Sequence, residues 1–251
     1  MIPVVVLQTI AANLGSMLTP IGNPQNLYLY NLSGMNIGEF VLVMLPYTGI
    51  SLALLILSIL LIKGKKEAVV VESQNKIALP MSKIIVYLTL FVLAFLVVLK
   101  VLPFELVLAI TLVVVFFMER KVLKDVDYCL LLTFISFFVF TGNMGNVPAI
   151  KEALQQLVNG REVLVGVISS QAISNVPAAL LLSGFTSDYR ALLIGVNLGG
   201  LGTLIASMAS LISYKILANK YNDKKGKYFL RFTLANIAFL AVLYSANLLL
   251  K

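Results

Sequence analysis

Apolar residues fall in unbroken runs at 40–62, 84–99 and 229–250, and polar residues gather between them. About 20 consecutive apolar residues carry a helix across a bilayer, so the pattern predicts an all-α polytopic membrane protein. Other apolar stretches are too short to cross alone. Residues 2–12 lead into a Gly-, Pro- and Asn-rich break at 13–24 and a short helix to residue 31, two pieces that share one span. A long helix at 38–62 is followed by a polar linker at 63–80. Helices at 81–101 and 103–118 are joined so tightly that they form an antiparallel hairpin. After a polar loop at 119–127 and a helix at 128–142, Val147, Ile150, Ala153, Leu154 and Leu157 alternate at helical spacing with Lys151, Glu152, Gln155 and Gln156. That amphipathic stretch is expected to lie along the membrane interface. The apolar pieces 163–172 and 178–183, separated by Ser174-Asn175-Val176-Pro177, predict a re-entrant hairpin over 163–183. A second broken helix over 189–218, interrupted at 197–203, precedes a basic loop at 219–228 and a final helix.

The two breaks share a sequence. At one offset of 184 residues, Asn13, Leu14, Gly15, Thr19 and Ile21 coincide with Asn197, Leu198, Gly199, Thr203 and Ile205, and Tyr30 with Tyr214. Counting crossings sends the first broken helix outward and the second inward, so the two are inverted repeats, a signature of secondary transporters. Non-helical backbone at membrane depth leaves amides and carbonyls without partners, which is tolerable only against protein or a water-filled cavity. Half-helix N-termini attract anions, while carbonyls and Asn, Ser and Thr side chains can hold a small cation. The candidate binding residues are therefore Asn13, Gly15, Ser16, Thr19, Pro20, Gly22, Asn23 and Asn26 in the first break. Ser174, Asn175 and Pro177 join them at the hairpin tip, and Asn197, Gly199, Gly200, Thr203 and Ser207 in the second break. Ser174, Asn175 and Asn197 are together a candidate site for a sodium ion, and no other metal site is expected. Glycine, serine and threonine also serve close helix packing, but proline, asparagine and glycine together stop a helix. Tyr28, Tyr30 and Tyr214 are expected as interface anchors.

Composition narrows the function classes. Hydrophobic residues make up 60% of the 251, charged residues 12%, and the mean hydropathy is +0.98, against roughly 25% charged residues in soluble chains. The net charge of +8 comes from basic residues clustered between apolar runs, which points to membrane topology rather than to nucleic acid. Fourteen of the nineteen lysines and arginines fall in three regions on one side, 63–83, 120–124 and 215–231. Cytoplasmic loops retain such residues, so loops 63–80, 119–127 and 219–228 are expected in the cytoplasm of a multi-pass plasma-membrane protein. With no histidine and only Cys129, imidazole zinc sites, Ser-His-Asp triads and disulfides are excluded. No nucleophile–base pair supports an enzyme.

Thr19-Pro20-Ile21-Gly22-Asn23-Pro24-Gln25-Asn26 and Ser174-Asn175-Val176-Pro177 resemble motifs of the ion transporter superfamily of arsenite permeases, citrate and divalent-anion/sodium symporters, and sodium/proton antiporters. Where the divalent-anion symporters have Ser-Asn-Thr, Val176 lacks the hydroxyl. The resemblance implies that residues 1–62 are the remainder of a first transport repeat, 63–80 a linker, and 81–251 a second repeat. The chain thus resembles the C-terminal two-thirds of a family member, with an N-terminal part encoded separately or lost by truncation.

All eleven acidic residues fall in loops or at helix ends by this segmentation. A proton antiporter needs a buried carboxylate, so the expectation is secondary transport of a small anion or oxyacid of dicarboxylate, citrate or arsenite type, with sodium as candidate coupling ion and no other cofactor. The alternatives are sodium/proton antiport, or a non-transporting fragment or partner subunit that pairs with the missing part or with a second copy.

Overall fold

The computed structural model describes residues 2–62 and 80–250, and among them the regular structure is helical throughout. Most of the expected 63–80 linker lies outside the described residues. The described chain divides into two compact units, residues 80–130 and residues 2–62 with 131–250.

The first of these contains α4 (Met81–Val98), α5 (Phe104–Met118) and the short α6 (Arg120–Lys124). Lys100, at φ 60°, reverses the chain, and the Val101 and Leu102 amides both donate to the Leu96 carbonyl. The hairpin closes at its far end, where Lys83 Nζ lies 2.8 Å from a Glu119 oxygen and the Tyr87 hydroxyl donates to the other. Lys83, then Tyr87, hold the Glu119 carboxyl below the usual carboxylate range. A carboxyl whose folded pKa is depressed stabilises the fold above its unfolded pKa and loses that contribution as pH falls through the folded value. Glu119→Gln should therefore melt lower than the parent at neutral pH, and the gap should close in acid. A gap that is constant with pH would exclude the ion pair as its source.

The other unit comprises α1 (Ile2–Gly15), α2 (Pro24–Ser33), α3 (Ile37–Leu61), α7 (Tyr128–Gly145) from Leu131 onward, α8 (Pro148–Val158), α9 (Glu162–Ile173), α10 (Asn175–Leu182), α11 (Tyr189–Gly199), α12 (Met208–Lys220) and α13 (Lys225–Leu250). Here α3 starts at a capping box, in which Asn36 Oδ1 accepts from the Glu39 amide and Glu39 from the Asn36 amide. That pair satisfies two of the first-turn donors reciprocally. Its Phe40, Met44, Tyr47 and Ser51 are buried on one face, while Leu42, Leu45, Leu52 and Ile56 are exposed. Along α13 the buried face carries Asn236 and Asn247 beside Tyr228, Phe232, Phe239 and Leu243. Apolar residues outside and amides inside is the arrangement lipid demands. The Tyr47 hydroxyl donates to Asn247 Oδ1 at 2.8 Å, a bond of a kind worth roughly 1 kcal/mol between membrane helices.

Among the described residues α3, α4 and the stretch Asn222–Leu250 are long and apolar enough to cross a membrane. The α7–α8 pair bends by 103° at the break between Gly145 and Pro148. Helix ends differ from the sequence expectation by a few residues. In the first broken helix α1 continues to Gly15, and in the second α11 continues to Gly199, because Asn13 and Asn197 remain helical and use their amides across the bundle. At the hairpin tip the break contracts to Ser174, at φ 71° and ψ 153°. Pro177 is the third residue of α10, where a missing N–H costs nothing because first-turn amides have no intrahelical acceptor.

Candidate functional site

The two breaks superimpose in register. Shifting α1's end at Gly15 and α2's start at Pro24 by 184 residues gives Gly199 and Met208, the observed end of α11 and start of α12. The residues before the second half-helices, Asn23 and Ser207, have φ/ψ of −143°/150° and −144°/151°. Each break contains the same turn: the Gly22 amide donates to the Thr19 carbonyl at 3.1 Å, and the Ala206 amide to the Thr203 carbonyl at 3.3 Å. Gly22 has no alternative, since a Cβ there would collide with the Ser16 carbonyl.

The broken helices cross at these points. Thr9 pairs with Ser213 at 2.7 Å and Asn13 Nδ2 with Ser207 Oγ at 2.9 Å, so α1 and α12 run antiparallel. Asn13 Nδ2 also lies 3.4 Å from Ser210 Oγ, and Asn197 Nδ2 lies 2.7 Å from Asn26 Oδ1. Under the 184-residue shift, Asn13 maps to Asn197 and Asn26 to Ser210, so these are the same bond made twice, once from each repeat. Sequence identity at Asn13 and Asn197 therefore reflects reciprocal bridging of the two breaks.

The hairpin reaches the second break. Twelve residues of α9 rise about 18 Å, yet Thr186 Oγ1, just beyond α10, donates to Glu162 at the start of α9 at 3.0 Å. The chain has turned back on itself, with its tip against Ala206. The Asn175 amide donates to the Ala206 carbonyl at 3.0 Å and Ser174 Oγ donates to it at 3.4 Å. Beside the hairpin, α9 and α11 touch backbone to backbone: a Cβ on Gly195 would lie 2.7 Å from the Val163 carbonyl oxygen, and one on Gly166 3.1 Å from Gly195 C. Gly199 packs on the Ser170 side chain and the Val167 backbone.

Of the candidate residues, Asn13, Asn26, Asn197, Gly200 and Ser207 are joined through this crossing, and Asn175 Nδ2 lies beside Gly200. Asn197 is 3% exposed and its Oδ1 has no partner. Gly15, Thr19, Gly22 and Thr203 are exposed. Ser16 turns its hydroxyl onto the Ala12 and Asn13 carbonyls, and the Asn23 side chain caps nothing. Pro20 is buried and Pro177 half-buried. Tyr30 is not an interface anchor, because it is buried against Phe40, while Tyr28 bonds Ser183 at 2.8 Å.

Sequence reasoning passed over Gln171. Its Nε2 donates to the Gly199 and Leu201 carbonyls, both at 2.9 Å, its Oε1 accepts from the Thr203 amide at 2.9 Å, and its carbonyl accepts from Thr203 Oγ1. The available signal was a long amide three residues before the hairpin tip, directly after Ser169 and Ser170 in a mainly apolar stretch. Glu162, 6% exposed, was also passed over and holds the base of the hairpin through the Gly160 amide and Thr186.

Known proteins match this chain. A family model described as citrate transporter matches residues 1–188. The uncharacterized transporter MJ0456 of Methanocaldococcus jannaschii is 34% identical over 226 residues, covering 90% of this chain and 61% of its own length. The inner membrane protein YbiR of Escherichia coli K12 is 32% identical over 231 residues, covering 88% and 59%. The chain thus spans about three fifths of the length of these curated relatives. No solved structure matches. A family match through the first break, α3 and the hairpin agrees with the broken, amide-bridged helices of the structure: this all-helical multi-pass membrane protein belongs to the citrate transporter family.

Proposed function

We propose that the chain contributes to secondary transport of a small anion or oxyacid, of dicarboxylate, citrate or arsenite type, with substrate held where the hairpin tip meets the two breaks. The observation that carries this reading is the duplicated crossing. Two interrupted helices, equal in register and antiparallel, place unwound backbone and the N-termini of α2, α10 and α12 near one another. Such a centre suits alternating access around a fixed site. The residues that meet there are Asn, Ser, Gly and Ala, rich in hydrogen-bond donors and free of ionisable groups. Glu162, the buried acid of the hairpin, sits at its base with its bonds directed to Gly160 and Thr186, which favours anion binding over a proton relay at the tip. The hairpin is re-entrant in this reading, residues 1–62 and 81–251 act as the two repeats, and the basic loops face the cytoplasm. Sodium is the candidate coupling ion at Ser174, Asn175 and Asn197.

Proteoliposomes containing the full chain should accumulate radiolabelled citrate, a C4-dicarboxylate or arsenite, faster with an inward sodium gradient than with choline. Absence of flux for all three substrates, with a pH-gradient dye responding to sodium alone, would replace this reading by sodium/proton antiport.

A further inference from the structure

Each break closes on the nitrogen of a side-chain amide. In the first, Asn26 Nδ2 faces the carbonyls of Ser16, Met17 and Thr19 at 3.3, 3.3 and 3.2 Å. In the second, Gln171 Nε2 faces those of Gly199 and Leu201, both at 2.9 Å, and is completed at 3.1 Å by the Val167 carbonyl of its own helix α9. Met17 and Leu201 are equivalent under the 184-residue shift, although the amides come from different places, α2 of the same repeat in one case and the hairpin in the other. Three carbonyls converging on one point form a ring of negative potential. Such a ring can hold a cation, as in ion-channel filters, and unwound backbone in a membrane must find a partner of some kind. Here an amide NH2, with its positive hydrogens, fills it. The second break is built around that choice: Gly202 has φ 109°, and a Cβ there would collide with Gln171 Oε1.

We propose that Asn26 and Gln171 are built-in substitutes for cations in the two breaks, and that Gln171 is the positioning residue that presents Gly199, Gly200 and Thr203 to the substrate. A bound cation is then unnecessary for the shape of either break, and any coupling sodium is left to the side chains of Ser174, Asn175 and Asn197. The positioning role rests on the transport reading above; the substitution for a cation does not.

The test is Gln171→Glu in lipid nanodiscs and proteoliposomes. An ionised carboxylate among carbonyls is repelled, whereas a protonated one restores one of the two donated bonds and still accepts from the Thr203 amide. The folded state then favours the protonated form, so its pKa is raised and stability is kept in acid and lost as pH rises. The variant should melt below the parent at about pH 8 and recover by about pH 5, around an ordinary glutamate pKa of about 4.3 raised by the site. Sodium should also restore its melting at about pH 8, because carboxylate plus carbonyls now forms a cation site. The KM for the transported anion should rise about tenfold at about pH 8, with the maximal rate less affected, and return in acid. Recovery of melting with no transport of any anion by the parent would sustain the cation substitute and reject the transport reading. Parental melting and KM at both pH values, or a melting loss equal at all pH and blind to sodium, would overturn the proposal. Should Gln171→Glu not accumulate, Asn26→Asp carries the same melting test at the first break, and no recovery in acid or sodium there overturns it.

Discussion

Gly195→Val is expected to lower the melting temperature of the purified protein by roughly 10 °C. The atoms its Cβ would meet are the Val163 carbonyl oxygen and Cα at 2.7 and 2.8 Å and the Glu162 carbonyl oxygen at 2.9 Å, all of them backbone. No rotamer change can relieve them, so α9 and α11 must separate, and with them the hairpin tip from the second break. Overpacking of a tight interface costs about 1–3 kcal/mol and sometimes more. A branched side chain against backbone belongs at the upper end, and about 3 kcal/mol corresponds to roughly 6–12 °C for a domain of this size. Gly49→Val is the matched control: Gly49 lies within α3 and has nothing within 4 Å of its Cβ position. Equal melting of the two variants, followed by thermal fluorescence in one detergent, would refute the close-packing account.

The second large effect belongs to the site. Asn175→Ala combined with Asn197→Ala should reduce transport efficiency by about a hundredfold or more while the protein stays folded. A hydrogen bond to a charged group contributes about 1.5–3 kcal/mol, and about 1.4 kcal/mol is tenfold, so two such contacts suffice. The Asn197 Oδ1, buried and without a partner, is the kind of group that costs about 1–3 kcal/mol unless something bonds it. Flux within about twofold of the parent, at matched amounts of monodisperse protein, would remove these residues from the site.

Much of this architecture can be read from residue order, for a physical reason. Two breaks with the same backbone need the same permissive residues, so Asn-Leu-Gly and Thr recur at one offset, and the helix ends follow that offset. The ends themselves were misplaced because asparagine usually stops a helix, whereas Asn197 satisfies the Leu193 carbonyl one turn back while reaching Asn26. Gln171 was illegible because its acceptors, Gly199 and Leu201, lie 28 and 30 residues further along the chain. Which carbonyls need an amide is known only once α9 lies beside α11. Tyr30 misled for the opposite reason: an aromatic ring near a helix end resembles an interface anchor until Phe40 is seen to cover it.

The equal length of the two breaks limits how such a chain can vary. One residue inserted into α1 or α11 ahead of Asn13 or Asn197 turns the preceding half-helix by about 100° relative to its bridging amide. One residue inserted within a break shifts the N-cap that receives the bridge. Either change would break one bridge and leave its twin intact, so tolerated insertions and deletions should collect in turns such as Gly34 to Asn36 and Asn159 to Arg161. The breaks should diverge by exchanging residues at constant length, as Asn23 and Ser207 already have.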